Sequence, residues 1–308
     1  QKNKFRDGYY DLEVFERTDT GIRYIVEAQD SDEVRAAYEK KGLNFAKYSD
    51  VNSYFIAFNM IDPVIGWGEN EAQRERNRKL RQAISIAIDW EEYSKVFPKK
   101  AGQTAMSLLP EGIPGSREGK PDGVNPVTHR LVGGQYVRRP IEDARRLMVQ
   151  AGYPEGRDAT TGRPLVLNYD FQRAITPEFK SENDWMVKQF AKLGIQLEIR
   201  ATDYNQFQDK MLKGKQQIFW WGWLADYPDA ENFLFLLYGP NAKYPNQGEN
   251  TANYSDPEYD RLYRLMQTMD DGPEKQKVMD QMVAIVREDA PWAWGYWPYV
   301  ALAFQPWA

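Results

Sequence analysis

A chain of 308 residues, 42% hydrophobic and with a net charge of -5, is long enough for two domains or one large one, and none of its apolar runs approaches the roughly 20 residues of a membrane-spanning helix. Cysteine is absent (0) and histidine occurs once (1), which excludes thiol nucleophiles, disulfides, iron–sulfur clusters and zinc sites needing two His or Cys ligands. The 40 Lys and Arg are interspersed with 45 Asp and Glu, so nucleic acid is not an expected partner, whereas 10 Trp, 19 Tyr and 14 Phe suit a binding site or an unusually aromatic core.

The chain starts at Gln1 with neither an initiator Met nor an apolar leader, and is expected to be trimmed from something longer. Residues 1–60 read as strands at 10–15 and 22–28, a helix near 32–41 and an aromatic strand at Tyr54-Phe55-Ile56-Ala57-Phe58, too few elements to close a core. Leu80, Ala83, Ile84, Ala87 and Ile88 then fall at helical spacing behind the basic run Arg76-Asn77-Arg78-Lys79, which predicts an amphipathic helix. Between 98 and 140, recurring Gly and Pro predict a long, mostly irregular covering loop. The one histidine, His129, lies in this loop and is expected to be solvated or hydrogen-bonded, with no catalytic role.

Alternation follows: a helix at 141–150 ending at Gly152, a strand at 165–169, a helix at 177–193 ending at Gly194, a strand at 195–199, a helix at 204–212 and a strand at 218–221. Helices and strands that alternate with glycine stops predict an α/β lobe with a substantially parallel sheet. Two further helices start at Asp256-Pro257 and Pro273, where the missing proline N–H costs nothing. An aromatic, strand-like segment beginning at Pro291-Trp292-Ala293-Trp294 closes the chain.

The densest feature is Phe219-Trp220-Trp221-Gly222-Trp223-Leu224-Ala225-Asp226-Tyr227-Pro228-Asp229-Ala230-Glu231-Asn232-Phe233. A strand ends here and an acidic turn leads into a helix, at the carboxyl end of the sheet where α/β lobes hold ligands. A flat aromatic beside a carboxylate suits a cation with an apolar or peptide-like body. Trp220 and Trp221 are expected to straddle the sheet and Asp229 to cap the helix, while Trp223 and Asp226, beyond the strand, are read as ligand-binding.

Five segments in order carry a family resemblance: Tyr54 to Asn59; the helix Asn77-Arg78-Lys79-Leu80-Arg81-Gln82-Ala83-Ile84; Leu108-Leu109-Pro110; Trp223-Leu224-Ala225-Asp226-Tyr227 with Phe233-Leu234; and Tyr254-Ser255-Asp256-Pro257-Glu258-Tyr259. Together they resemble the periplasmic peptide, dipeptide and nickel-type solute-binding proteins of ABC importers, the large three-domain class. The resemblance implies a periplasmic-binding-protein-like α/β lobe, its mixed, largely parallel sheet flanked by helices, plus hinge-proximal strands of a second lobe. Residues 1–58 would be the remnant of the first lobe with the strand leading out of it, 59–292 the ligand-binding C-terminal lobe and 293–308 a return strand.

In peptide-binding members the Asp at the place of Asp226 anchors the ligand ammonium and the Trp at the place of Trp223 lines the same pocket. Tyr227 and Trp221 flank them, and Arg173, in Gln172-Arg173-Ala174-Ile175-Thr176-Pro177, resembles the Arg that meets a dipeptide's carboxylate. The implied role is capture of di- or oligopeptides by lobe closure and delivery to a membrane permease, by an extracytoplasmic monomer that uses no cofactor or metal and is not an enzyme. Two alternatives stay open: an oligosaccharide ligand on the Trp platform, and a carbohydrate-active enzyme using Asp226, Asp229 and Glu231.

Overall fold

The computed structural model describes residues 9–15, 44–100 and 102–308, with isolated positions 4, 36, 40 and 42. The strand expected at 22–28 and the helix near 32–41 lie outside these segments. Strands β1 (Leu12–Phe15), β2 (Asn44–Ser49) and β3 (Ser53–Phe58) precede α1 (Glu71–Ala87), α2 (Trp90–Val96) and β4 (Gly102–Thr104). Next come β5 (His129–Val132), β6 (Gln135–Arg138), α3 (Ile141–Gln150), β7 (Val166–Phe171), α4 (Pro177–Ala191), β8 (Gln196–Ala201), α5 (Tyr204–Leu212) and β9 (Ile218–Trp223). The chain continues through α6 (Glu231–Leu234), α7 (Pro257–Gln267), α8 (Pro273–Asp289) and β10 (Trp292–Phe304).

Local chemistry sets the helix starts. Asn70, Asp89, Thr176, Asp203 and Asp256 each accept a first-turn amide with the side chain, and Pro177, Pro257 and Pro273 sit at positions whose amide has no helical partner. The Gly/Pro-rich span holds more order than the expected irregular loop: β4 adds to β10, and β5 and β6 form a hairpin. Arg138 pins that hairpin to the end of α1, donating to the Ile88 carbonyl at 2.7 Å and pairing with Asp89 at 3.2 Å.

The sheet order is β1-β10-β3-β9-β7-β8, with β2 and β4 also on β10. The expected helix-flanked mixed sheet forms, but among the described strands parallel pairing is confined to β9-β7-β8, so the sheet is not largely parallel as expected. The helices α4 and α5 return the chain in the same direction between those strands, whereas β3 and β10 arrive from remote segments and pair antiparallel. The long β10 pairs with β3 and β4 through its first half and with β1 and β2 through its second.

Both faces of the sheet are buried along its central strands. Phe55, Ala57, Phe219, Trp292 and Trp294 face one core with α5, α7 and α8, and Ile56, Phe58, Ile218 and Ala293 face the other with α1, α3 and α4. This follows the period of two along a strand. A bulge between Trp294 and Tyr296 resets the alternation, so Tyr296 joins Ala293 on the second face and Trp297 the first. No helix among the described residues is long and apolar enough to cross a membrane.

His129 is hydrogen-bonded, as expected, with its Nδ1 3.0 Å from the Thr128 hydroxyl, but it is buried and not solvated. Burial, and then the nearby Arg138, push its imidazole down to about 4 from the ordinary 6.5. The unfolded chain takes up that proton near pH 6.5 and the folded chain only near pH 4, so stability is full above 6.5 and falls as the pH drops between the two. The loss is about 3 kcal/mol. His129→Gln flattens this part of the pH dependence, as urea titrations of both proteins at neutral and mildly acid pH will measure.

Candidate functional site

The acidic turn after β9 is the first part of the site. Trp220 packs on the second core and Trp221 on the first, so the two straddle the sheet as expected. Trp221 lies beside Phe207 and Phe219, at ring centroids of 6.0 and 6.4 Å. Trp223, expected beyond the strand, is instead its last residue, opposite Ser53. The ladder runs through Gly222 because the Tyr54 ring lies over it: a Cβ there would meet Tyr54 Cδ1 at 2.7 Å. Glycine thus extends the strand where the sequence suggested a break.

Trp223 stands edge-on to Phe235 at 5.2 Å, and its indole N–H donates to Asn232 Oδ1 at 3.1 Å. The same oxygen accepts the Asp226 amide at 3.0 Å, so one side chain holds both the tryptophan and the turn. Asn232 is 2% exposed, which shields these two bonds from water. The Asp226 carboxylate is left exposed, and among the described residues no cation pairs with it.

The neighbouring acids are engaged within the turn. Asp229 accepts the Glu231 amide at 2.8 Å from one residue before α6, whose cap is Ala230 and not, as expected, Asp229. Glu231 accepts the Tyr227 hydroxyl on one oxygen and the Tyr263 hydroxyl, at 2.5 Å, on the other. The bond to Glu231 is the main cause that raises the Tyr227 phenol, and burial, ahead of Glu231, raises Tyr263. Two of the three acids therefore brace the turn.

Arg173 is elsewhere, two residues after β7, with its guanidinium over Phe179 at 5.2 Å. It borders a recess on the second face of the sheet, lined by Tyr54, Tyr93, Phe171, Phe179, Trp220 and Tyr296, with Lys100 paired to Glu182. Tyr54 stacks on Trp220 at 6.0 Å and meets Tyr296 at 5.3 Å. The structure thus joins Trp223, Asp226 and Tyr227 through Asn232 and Glu231, while Arg173 and Trp221 stand on opposite faces of the sheet.

Sequence reasoning missed Asn232 and the recess. An Asn opening the apolar run Phe233-Leu234-Phe235-Leu236-Leu237 was the available signal, since a polar side chain buried there needs partners. The recess draws on four distant segments, and no local pattern marks it.

Against known proteins, the family model for bacterial extracellular solute-binding proteins, family 5 Middle, matches residues 20–245. Heme-binding protein A of Haemophilus influenzae is 27% identical over 255 residues, 82% of this chain and 39% of that protein. Di/tripeptide-binding protein 3 of Pseudomonas aeruginosa is 22% identical over 261 residues, 84% of this chain and 43% of that protein. The ABC transporter-associated periplasmic binding protein DppA from Helicobacter pylori, solved with the peptide STSA, has a TM-score of 0.68 at 18% identity, over 99% of this chain and 50% of that one. That likeness concerns the fold. The chain spans about half or less of the length of each of these relatives.

Proposed function

The chain belongs to family 5 of the bacterial extracellular solute-binding proteins, and from that membership we propose that it is the ligand-gathering lobe of the binding component of an ABC importer. It works outside the cytoplasmic membrane, captures di- or oligopeptides and hands them to a membrane permease. In this reading 59–292 is the ligand-binding lobe, 1–58 leads into it from a first lobe and 293–308 returns toward that lobe. The first lobe closes over the bound ligand by hinge motion.

The observation that carries the peptide assignment is the division of labour in the turn: Asp229 and Glu231 are satisfied internally, and only Asp226 presents a carboxylate at the carboxyl end of β9. An ammonium group arriving there gains a charge-assisted bond beside the Trp223 face. Arg173 offers the complementary charge for a carboxylate at the end of β7. The recess next to it encloses about 110 Å³, well short of the roughly 300–1,000 Å³ of a complete small-molecule site. A facing lobe would supply the remaining wall, so the whole protein should bind more tightly than this chain.

The test is to purify the whole protein without added ligand, denature it and identify what it releases by mass spectrometry. Peptides are expected; a sugar, a heme or a metal chelate overturns the peptide assignment. Asp226→Asn should then weaken tripeptide binding by about tenfold or more in calorimetric titration, the scale of a lost hydrogen bond to a charged group. An unchanged affinity removes Asp226 from the site.

A further inference from the structure

The recess beside Arg173 has features that packing alone does not explain. Its walls are rings: Tyr54, Tyr93, Trp220 and Tyr296 lie within 5.3–6.1 Å of one another by the closer centroid pairs. Phe171 and Phe179 meet edge-on at 5.4 Å. Yet polar atoms are left without partners in this wall. Among the described residues, Asn183, 5% exposed, has no acceptor for its Nδ2, and the Gln172 Oε1 has no donor. A buried amide without a partner costs about 1–3 kcal/mol, so such groups are expected where something else completes them.

Charge at the mouth is equally one-sided. Lys100 and Glu182 neutralise each other. Arg173 is exposed and, among the described residues, no acid pairs with it. The enclosed space of about 110 Å³ is on the scale of one ring, since an apolar cavity of about 150 Å³ takes benzene.

We infer that this recess is a specificity pocket for an aromatic ring carrying a polar edge and attached to a carboxylate. On the reading proposed above, the natural source is a C-terminal tyrosine of the captured peptide. Its carboxylate meets Arg173, its ring stacks among Tyr54, Trp220 and Phe179, and its hydroxyl completes the amides of Asn183 and Gln172. Offset and edge-to-face ring contacts supply selectivity over an aliphatic side chain.

The test titrates the whole protein with Ala-Ala-Tyr, Ala-Ala-Ala and Tyr-Ala-Ala, and with 3-(4-hydroxyphenyl)propionate against propionate, following calorimetric heat and tryptophan fluorescence. Ala-Ala-Tyr is expected to bind about tenfold tighter than either other peptide, and the phenolic acid to bind where propionate does not. Asn183→Leu should erase the preference for tyrosine, and Phe179→Ala, at the rim, does the same if the first variant fails to fold. Arg173→Ala should weaken Ala-Ala-Tyr and Ala-Ala-Ala by the same factor. Equal binding of the three peptides overturns the pocket and leaves the peptide reading intact. Binding of the phenolic acid alone, abolished by Asn183→Leu or Phe179→Ala, keeps the pocket and overturns the peptide reading. No binding of any probe overturns the pocket.

Discussion

Arg81→Ala should lower the unfolding free energy by about 3–5 kcal/mol, the cost of breaking a buried charged network at one partner. Arg81 is 0% exposed, and its guanidinium donates to the Asp289 carbonyl at 2.7 and 2.9 Å, to Ile65 at 2.8 Å and to Gly66 at 3.0 Å. Three carbonyls from two remote segments thus converge on one fork in the middle of α1. Burial pushes the guanidinium down to about 10, with Asp289 opposing, so it stays charged at neutral pH. The Asp289 carboxylate, raised chiefly by burial, takes the Tyr254 hydroxyl at 2.8 Å. Alanine leaves the three carbonyls without donors and an acid without its nearest buried cation. Arg81→Lys should recover less than half of the loss, because one ammonium cannot satisfy carbonyls arranged for a planar fork. Urea unfolding of the three proteins measures both effects; equal stability of wild type and Arg81→Ala would mean the network is energetically neutral.

Asn232→Leu should separate function from fold. The substitution keeps the volume but removes the oxygen that accepts both the Trp223 indole N–H and the Asp226 amide. Two partly buried donors lose their acceptor, for a stability loss of about 1–3 kcal/mol. The larger consequence is positional, since the turn carrying Asp226 is no longer tied to the end of β9. Peptide affinity should fall about 10–100-fold, as expected for a charge-assisted bond whose geometry is lost. Titration of the folded variant checks this, with the Trp223 fluorescence shift as an independent report that the indole bond is gone. Retained affinity would show that the Asp226 carboxylate is positioned by the ligand and not by Asn232.

Much of the fold was legible because its causes are local. A side chain such as Asp203 or Asp256 caps the amides two or three residues ahead, so helix starts at Tyr204 and Pro257 are written in the immediate sequence. The apolar stripe of Leu80, Ala83, Ile84 and Ala87 follows from helical period alone, and all four are buried. The strand at Phe55-Ile56-Ala57-Phe58 was likewise legible from its composition, while the structure assigned its residues to the two faces of the sheet.

Neighbours in the sheet were not legible. Nothing near Tyr54 indicates that it pairs with Gly222, yet that pairing carries β9 on to Trp223 and lays the Tyr54 ring against Trp220. The same limit explains why Arg173 and Asp226, both read as ligand-binding, came without their setting. Arg173 acquires its aromatic surroundings from α2, α4, β3, β9 and β10 together, and Asp226 its anchor from Asn232.

By itself, then, the sequence determined the class of the fold, the order of α1, α3, α4, α5, α7 and α8, and an acidic, aromatic turn at the end of a strand. These depend on capping, periodicity and composition, which act over a few residues. Only the tertiary structure decided which acid in that turn is free, where parallel pairing stops, and that rings from remote segments enclose a recess beside Arg173. Those outcomes depend on strand register and on which buried polar groups find partners, and both are settled when distant segments pack.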